Sequence, residues 1–259
     1  MGLCKLVIDQ RGVARVTLNR PELHNAFNDE LIKELISLFR SLEENEKVRL
    51  VVLTGEGKSF CAGADLNWMK RMKDYSFEEN LADSQNLAEL FSVINRFHKP
   101  TIARMNGAAL GGGAGLIACC DYVIAVDTAT IGFTEVRLGL VPAVISPFVI
   151  AKIGESQARA TFMSGARFGA FKALSMGLIH QISSFDKMEE DLEVVINDFL
   201  MAAPNAAMIA KELIGTVVRK TTIEEARAMT CELIAKVRSS SEGQEGMSAL
   251  LEKRKASWL

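Results

Sequence analysis

The sequence predicts an α/β layered fold followed by a helical C-terminal region. Short runs rich in β-branched residues alternate with segments of helical periodicity, and only helical patterns occur beyond about Met188. Such alternation is typical of a sheet whose strands are joined by short crossover connections. The 259 residues exceed the usual length of one domain, about 100–200 residues. We therefore expect a main domain over residues 1–187 and a smaller helical subdomain over residues 188–259.

The beginning of the chain reads as strand, strand, helix and strand. Two runs with β-branched residues, 5–9 and 13–19, are separated by a short turn and indicate a hairpin or two neighbouring strands. Residues 29–45 carry apolar side chains at helical spacing. The apolar run 49–54 has the length of a strand and is followed by glycines.

The alternation then continues in a looser order. We predict a helix at residues 77–97, a strand at 101–105, a glycine-rich turn that enters a helix near Gly112, and a strand at 122–126. The C-terminal subdomain is predicted to contain helices at residues 188–201, 205–218, 222–239 and 243–258.

Charge and composition argue against several classes of protein. Thirty basic residues against 32 acidic ones give a formal charge of −2, so no overall cationic surface draws the protein onto nucleic acid or anionic lipid. The longest apolar stretch, about residues 138–153, is interrupted by Pro142 and Pro147 and is too short to cross a bilayer of about 30 Å as a helix. The N terminus lacks a secretory pattern, and the five cysteines lack the spacing of a disulfide framework or zinc site. We therefore expect a cytoplasmic protein with no metal, nucleic-acid or membrane partner.

The first candidate for a functional site is the loop of residues 59–66, which follows the apolar strand at 49–54. Its small residues let a ligand approach the backbone closely, and free N–H groups at a helix start suit an anion or an oxyanion. An ordinary strand-to-helix turn capped by Asp65 explains the same residues. The loop therefore indicates a ligand site only in combination with other motifs.

The second candidate is the segment 106–115, in which four of the last five residues are glycine. Each glycine lowers helix propensity by about 1 kcal/mol relative to alanine, so a sequence serving stability alone would avoid them. The segment is not a Walker loop, because apolar Leu116 and Ile117 follow the glycines, and it fits a dinucleotide fingerprint only loosely. The two explanations are close approach of a ligand to the backbone and tight helix packing through small residues.

The third candidate is Glu135, in the segment 132–142. A carboxylate between apolar runs is expected in a pocket of low dielectric constant, where desolvation raises its pKa toward the range useful for proton transfer. Glu135 would then act as acid and base in turn. A buried salt bridge with Arg137 or another cation explains the spacing equally well.

Together these three segments resemble the crotonase, or enoyl-CoA hydratase/isomerase, superfamily, and the resemblance covers nearly the whole chain. Supporting stretches lie at residues 16–21, 25–28, 99–103 and 173–179. The resemblance implies a crotonase-like ββα superhelix, which is a spiral of ββα turns, with a C-terminal helical trimerisation region. It also implies a homotrimer or a dimer of trimers that acts on an acyl-CoA thioester. No cofactor is expected, since coenzyme A is part of the substrate.

The resemblance assigns a role to individual residues of the candidate segments. The oxyanion hole falls on the backbone N–H groups of Ala64 and Gly112, and the acid–base role falls on Glu135. Two preorganised donors on the thioester oxygen stabilise the enolate that develops during reaction. The residues expected to contact the substrate and its coenzyme A are Glu22, Leu23, His24, Ala62, Ala64, Asp65, Leu66, Gly111 and Gly112.

One position departs from the family pattern. Typical hydratases of the superfamily carry a second glutamate inside the glycine-rich helix, where this sequence has Gly115. Hydration would then depend on Glu135, which would deprotonate water and return a proton to the α-carbon. The same lone glutamate would serve a double-bond isomerase, which needs one base. A non-catalytic acyl-CoA-binding or scaffold protein is a third alternative.

A finer resemblance favours the hydratase. Residues 113–121 and 134–147 are similar to those of bacterial methylglutaconyl-CoA hydratases of leucine degradation and of their isoprenoid-acid relatives. Where the family usually has Gly-Gly-Thr after the proline, this chain has Val-Ile-Ser at 144–146, which we expect to reshape the acyl pocket. The predicted activity is therefore hydration of an enoyl-CoA in fatty acid metabolism, with methylglutaconyl-CoA as the specific candidate.

Overall fold

The computed structural model describes residues 2–218 and 222–259 of the chain. The chain divides into two compact units. The first comprises the residues up to Phe97 together with Thr101–Leu192, and the second comprises His98–Pro100 and Glu193–Leu259. The predicted boundary between residues 187 and 188 falls where a helix begins, at Met188–Met201.

The strands all lie in the first unit and form two sheets. In chain order they are β1 (Cys4–Ile8), β2 (Val13–Leu18), β3 (Leu50–Gly55), β4 (Ser59–Cys61), β5 (Thr101–Met105), β6 (Ala108–Leu110), β7 (Tyr122–Val126), β8 (Thr130–Gly132), β9 (Phe168–Gly169) and β10 (Gln181–Ser183). The larger sheet has the order β1-β2-β3-β5-β7-β10, in which β1 is antiparallel to β2 and the other neighbours are parallel. Every residue of β3 is buried, as expected for a parallel sheet covered on both faces, and this explains its continuous apolar sequence.

The smaller sheet has the order β4-β6-β8-β9, in which β9 is antiparallel to β8 and the other neighbours are parallel. Because β4, β6 and β8 each follow a strand of the larger sheet directly, successive turns of the chain place one strand in each sheet. This arrangement is the ββα spiral, and the predicted fold class is confirmed. The sequence pattern does not predict these strands, because two or three residues are too few to show an alternation.

Several of the helices begin at a residue whose side chain caps the first turn. In chain order they are α1 (Asp29–Glu44), α2 (Leu66–Met72), α3 (Phe77–Arg96), α4 (Gly112–Cys119), α5 (Ser146–Phe162), α6 (Ala170–Ser175), α7 (Met188–Met201), α8 (Pro204–Val218), α9 (Ile223–Ser239) and α10 (Ser241–Leu251). The Asn28 side chain accepts a hydrogen bond from the Leu31 N–H at 2.9 Å, and Ser76 with Glu79 forms a capping box at the start of α3. The predicted helices at 29–45 and 77–97 are thus correct to within one residue.

The last helix is shorter than predicted. The sequence pattern predicts a helix to residue 258, whereas α10 ends at Leu251. Lys253 adopts a left-handed conformation with φ of 55°, and the Arg254 N–H donates to the Ala249 carbonyl at 3.0 Å, an arrangement that ends a helix. The guanidinium of Arg254 then pairs with Glu245 at 2.7 Å, which ties the segment after the helix back to α10.

Over residues 2–218 and 222–259, no single helix is both long and apolar enough to cross a membrane. The bent pair Phe185–Met201 and Pro204–Val218 meets the same criteria of length and composition together. Over the same part of the chain, no cluster of three or more His, Cys, Asp or Glu side chains is arranged to hold a metal ion.

Candidate active site

A cavity of about 540 Å³ lies in the first unit, where the three candidate segments meet. The loop after β4, the start of α4 and the segment after β8 each contribute to its wall, and α2 and α3 supply further residues. The residues of the candidate segments that line it are Ala62, Gly63, Ala64, Gly111, Gly112, Thr134, Glu135, Leu138, Gly139, Leu140, Val141 and Pro142.

The backbone of Ala64 is held by a short parallel bridge to Phe27. The Phe27 N–H donates to the Gly63 carbonyl at 2.7 Å, and the Asp65 N–H donates to the Phe27 carbonyl at 2.8 Å. In an extended segment successive residues face opposite sides, so the N–H of Ala64 points away from Phe27. Within the described residues this N–H has no protein acceptor. Ala64 therefore presents a free backbone donor at the cavity wall.

The second backbone donor lies at the start of α4. Gly111 donates its own N–H to the Gly132 carbonyl at 2.8 Å and has a φ of 51°, a conformation that favours glycine. The helix begins at the next residue, Gly112. The first N–H groups of a helix have no partner inside it, and the Gly112 N–H has none elsewhere in the described chain.

The other explanation for the glycines, tight packing, also holds. A Cβ at Gly113 would overlap the carbonyl oxygen of Cys61, and a Cβ at Gly112 would lie 2.9 Å from the Phe27 ring. Only a helix start without side chains can lie this close to the loop that carries Ala64. Packing and ligand approach are therefore two consequences of the same close contact.

Glu135 is the one titratable residue of the three candidate segments that lines this cavity. One carboxylate oxygen, Oε1, lies next to Gly111, where a Cβ would be 3.3 Å from it. The other, Oε2, is buried and has no hydrogen-bond partner among the described residues. Burial raises the pKa of Glu135, and its own backbone N–H offsets only part of this effect. The salt bridge with Arg137 is not formed within the described chain, where the Arg137 side chain donates to the Ser164 carbonyl.

Known proteins similar to this chain match it over nearly its full length. The family described as enoyl-CoA hydratase/isomerase matches residues 9–259. The chain belongs to this family. A relative from Clostridium acetobutylicum named short-chain-enoyl-CoA hydratase is 30% identical over 262 residues, which cover 98% of this chain and 97% of the relative. The crystal structure of an enoyl-CoA hydratase from Shewanella pealeana, 39% identical, has a TM-score of 0.95 and covers 99% of this chain and 96% of its own.

A second solved structure of the family supports the same assignment. An enoyl-CoA hydratase/isomerase from Marinobacter aquaeolei, 30% identical, has a TM-score of 0.92 and covers 99% of this chain and 98% of its own. The superfamily predicted from the sequence is confirmed, and the chain is an enzyme of the hydratase/isomerase family.

The position of the family's second glutamate is filled by apolar side chains. A Cβ at Gly115 would overlap Cγ2 of Ile145 and would lie 3.0 Å from the Phe91 ring. Phe91 in turn packs against Phe27 and Phe148, with ring centroids 6.4 and 6.1 Å apart. No side chain fits at residue 115 unless Ile145 or Phe91 moves.

Some residues predicted to contact coenzyme A lie outside the cavity lining. Glu22 and Leu23 form a short 3₁₀ helix with Pro21, and the His24 ring Nδ1 lies 3.0 Å from the Ser59 hydroxyl. The Leu66 side chain is 74% exposed. Their contacts with the nucleotide part of the substrate remain predictions.

Asp65 has the capping role that the sequence left open. Its carboxylate accepts hydrogen bonds from the Arg20 guanidinium and the Asn67 N–H, both at 2.7 Å. Burial by itself would raise the pKa of Asp65, but the hydrogen bonds from Arg20 and from the backbone outweigh it and lower the pKa.

The part of the cavity wall supplied by α2 and α3 was not predicted from the sequence. The α3 residues recur at helical spacing along one face, and Asp83 accepts a hydrogen bond from the indole N–H of Trp68 at 3.2 Å. That spacing is visible in the sequence but is equally typical of any helix packed on a core. The residues concerned are Trp68, Met69, Met72, Asn80, Asp83, Ser84 and Leu87.

Proposed function

We propose that this enzyme adds water to the double bond of a 2-enoyl-CoA thioester. The observation that carries the proposal is the meeting of two backbone donors and one buried carboxyl group at a single cavity. Neither N–H group, nor the carboxylate oxygen Oε2, has a hydrogen-bond partner among the described residues. Such a site offers donors for a developing oxyanion and a base for a proton. The enoyl-CoA hydratases of Clostridium and Shewanella that resemble this chain support the same reaction.

The amides of Ala64 and Gly112 bind the thioester oxygen. When water attacks the β-carbon, the electrons of the double bond move onto this oxygen and form an enolate. Donors already aimed at that oxygen stabilise the charge without reorganisation, and one such donor contributes about 2.7–4 kcal/mol to lowering the barrier. Neither N–H donates a hydrogen bond to another acceptor in the described chain.

Glu135 moves the proton. As a carboxylate it takes a proton from water while the water oxygen bonds to the β-carbon, and as a carboxylic acid it then gives a proton to the α-carbon. The thioester carbonyl re-forms, the net change is the addition of one water, and the carboxylate is regenerated. Burial raises the pKa of Glu135, which strengthens it as a base and makes proton transfer efficient closer to neutral pH.

Product analysis tests this proposal directly. The purified protein is incubated with crotonyl-CoA, and the conjugated enoyl-thioester absorbance is followed together with the product mass. Hydration predicts loss of the absorbance and a mass increase of one water. An unchanged mass and absorbance with every 2-enoyl-CoA offered would contradict the proposal.

Isomerisation of the double bond is the second candidate, and the surroundings of Gly115 favour it. Because Ile145 and Phe91 fill the space beside this residue, no second carboxylate can hold the attacking water there. An isomerase needs one base to shuttle a proton, and Glu135 suffices. Incubation with a 3-enoyl-CoA separates the two activities, because an isomerase creates the conjugated absorbance without changing the mass.

Methylglutaconyl-CoA, and with it a role in leucine degradation, is the finer proposal that the sequence resemblance supports. The charge of the cavity argues against it. This substrate has a carboxylate in its acyl group. Among the described residues that line the cavity there is no Lys, Arg or His, and the ionisable side chains are Asp83 and Glu135. Comparing the turnover of methylglutaconyl-CoA with that of crotonyl-CoA tests the two arguments. Faster turnover of methylglutaconyl-CoA would support the sequence resemblance, and faster turnover of crotonyl-CoA would support the argument from the cavity charge.

We further propose that the helical region 188–259 forms the contacts of a homotrimer or dimer of trimers. Its helices leave large apolar side chains exposed, which is typical of surfaces that bind another protein. Sedimentation of the purified protein measures the assembly. The exposed side chains include Ile214, Val218, Ile223, Ile234 and Leu250.

A further inference from the structure

One wall of the cavity is a polar stripe that the proposed mechanism does not use. Asn80, Asp83 and Ser84 of α3 line the cavity, and Leu87 continues the same helix face. Residues three and four positions apart lie on one face of a helix, so the three polar side chains form a continuous surface. We call Asn80, Asp83 and Ser84 the α3 stripe.

The α3 stripe offers mainly hydrogen-bond acceptors. The Asn80 side-chain amide donates to the carbonyls of Tyr75 and Ser76, at 3.2 and 3.0 Å, which leaves its carbonyl oxygen for other partners. Asp83 accepts the Trp68 indole N–H through Oδ1 at 3.2 Å, which leaves Oδ2. The Ser84 hydroxyl can accept or donate. A ligand group that meets this stripe is therefore recognised best if it donates.

The negative charge of the cavity wall also favours a ligand group that donates hydrogen bonds and disfavours an anionic one. Among the described lining residues, Asp83 and Glu135 are the ionisable groups and both are acids. The basic group whose charge acts on Asp83 is Arg71, an exposed side chain paired with Asp29 at 2.6 Å. Burial, together with the charge of Asp29, raises the pKa of Asp83, and the hydrogen bond from Trp68 and the charge of Arg71 offset only part of the rise. A carboxylate in the acyl group would meet no counter-charge on this wall.

We propose that Asp83 is a specificity-determining residue that selects 2-enoyl-CoA substrates whose acyl chain carries a hydroxyl group. The hydroxyl would donate to Asp83 Oδ2, and the carbonyl of Asn80 would offer a second acceptor beside it. Acyl chains that end in a carboxylate would be disfavoured. This inference deepens the hydratase proposed above and rests on it.

A purely structural role for Asp83 makes different predictions. Trp68 is 2% exposed, and its buried indole N–H needs an acceptor, so Asp83 could serve only to anchor Trp68. Loss of an anchor would weaken turnover of every substrate alike. Loss of a specificity contact changes the ratio between substrates. The ratio is therefore the quantity to measure.

The experiment compares 2-enoyl-CoA thioesters of equal chain length that end in a methyl, a hydroxyl or a carboxylate group, at several chain lengths. At the length that reaches Asp83, we expect kcat/KM of the wild-type protein to be about tenfold higher for the hydroxyl than for the methyl compound. The carboxylate compound is expected to be the poorest of the three. A wild-type preference for the carboxylate compound at every length would overturn the proposal.

Two variants and a control separate the specificity role from the anchor. Asp83→Leu should reduce the hydroxyl-to-methyl ratio by about tenfold. Asp83→Asn keeps an acceptor for Trp68 and removes the charge, so it should raise the carboxylate-to-methyl ratio while Trp68 fluorescence stays unchanged. Glu78→Gln, an exposed acid on the same helix, should change neither ratio. Equal losses for all substrates in Asp83→Leu, with unchanged ratios in Asp83→Asn, would contradict the proposal.

Binding measurements keep this test separate from the hydratase proposal. Saturated acyl-CoA compounds with the same three end groups need no turnover, and their Kd values are measured by calorimetry. A hydroxyl preference that disappears in Asp83→Leu would support the specificity role even if no 2-enoyl-CoA were hydrated. Equal Kd values for the three compounds, with hydration intact, would reject Asp83 and leave the hydratase standing.

Discussion

Two glycines in the first turn of α4 are both closely packed but differ in whether they border the cavity. At Gly112 the backbone N–H has no protein acceptor in the described chain and borders the cavity. At Gly115, three residues later, the helix is pressed against Ile145 and Phe91. The comparison shows that glycine serves two purposes in one helix turn: it leaves a backbone N–H accessible at one position and makes room for apolar side chains at another. Glycine 112 presents a donor, and glycine 115 makes room for apolar neighbours.

The difference also separates what backbone and side chains contribute to the proposed chemistry. The oxyanion hole needs N–H groups in the right place, which any residue but proline supplies. A second acid needs a side chain and space for it, and the packing at Gly115 leaves no such space. In the proposed mechanism, proton transfer therefore depends on Glu135.

The largest expected effect is that of Glu135→Gln. We expect turnover of crotonyl-CoA to fall by about 10²–10⁴-fold, because general acid–base catalysis by one side chain contributes this much. Loss of the enoyl-thioester absorbance measures it. Binding of a saturated acyl-CoA is the control and should be retained. Undiminished turnover would favour a site in which Glu135 takes no part, and a protein without turnover in either form would fit the non-catalytic acyl-CoA-binding alternative.

The donor at Gly112 is tested by comparing two substitutions. Gly112→Pro removes the N–H, and Gly112→Ala adds a Cβ near the Phe27 ring but keeps the N–H. We expect kcat of the proline variant to be lower than that of the alanine variant by about 10²–10³-fold, the usual effect of one oxyanion donor. Equal kcat values in the two variants would mean that crowding against Phe27, and not the lost donor, explains the loss.

The packing around Gly115 predicts a smaller effect, which is on the stability of the fold. Gly115→Ala should lower the free energy of unfolding by about 1–3 kcal/mol, the usual cost of overpacking. Ile145→Ala in the same chain removes the Cγ2 that the new Cβ overlaps and should recover part of the loss. Denaturant unfolding measures both.

Gly215, where a Cβ meets nothing within 4 Å, provides the control for this substitution. Gly215→Ala lies within α8 and should be neutral or stabilising, by up to about 1 kcal/mol. Equal effects at residues 115 and 215 would mean that the packing around Gly115 is looser than the contacts indicate.

The smallest expected effect is a pH dependence of stability. The pKa of Glu135 is raised in the folded protein, so the folded state binds this proton more tightly than the unfolded state. Its contribution to stability is full below the unfolded pKa and is lost as pH rises through the folded pKa. Glu135→Gln should therefore have the higher Tm at neutral pH, and the difference should shrink as the pH is lowered. A difference that grows on acidification would contradict the raised pKa.

Much of the fold and the three candidate segments could be predicted because their signals are local. The apolar run of β3, the helical spacing in α1 and the glycines before α4 each depend on neighbouring residues only. The strands of the smaller sheet and the end of α10 could not be predicted in this way. Those strands are too short to show a sequence pattern. The end of α10 depends on the left-handed conformation of Lys253, and a lysine gives no sign of that conformation in the sequence.

The sequence by itself determined the family and the three segments proposed to carry chemistry, since their motifs are encoded in consecutive residues. Only the tertiary structure decided that Glu135 Oε2 has no hydrogen-bond partner among the described residues, that Ile145 and Phe91 fill the space at Gly115, and that α3 places Asp83 on the cavity wall. The physical reason is that burial, pKa and free space depend on residues far apart in the chain. Such contacts exist only after the chain has folded.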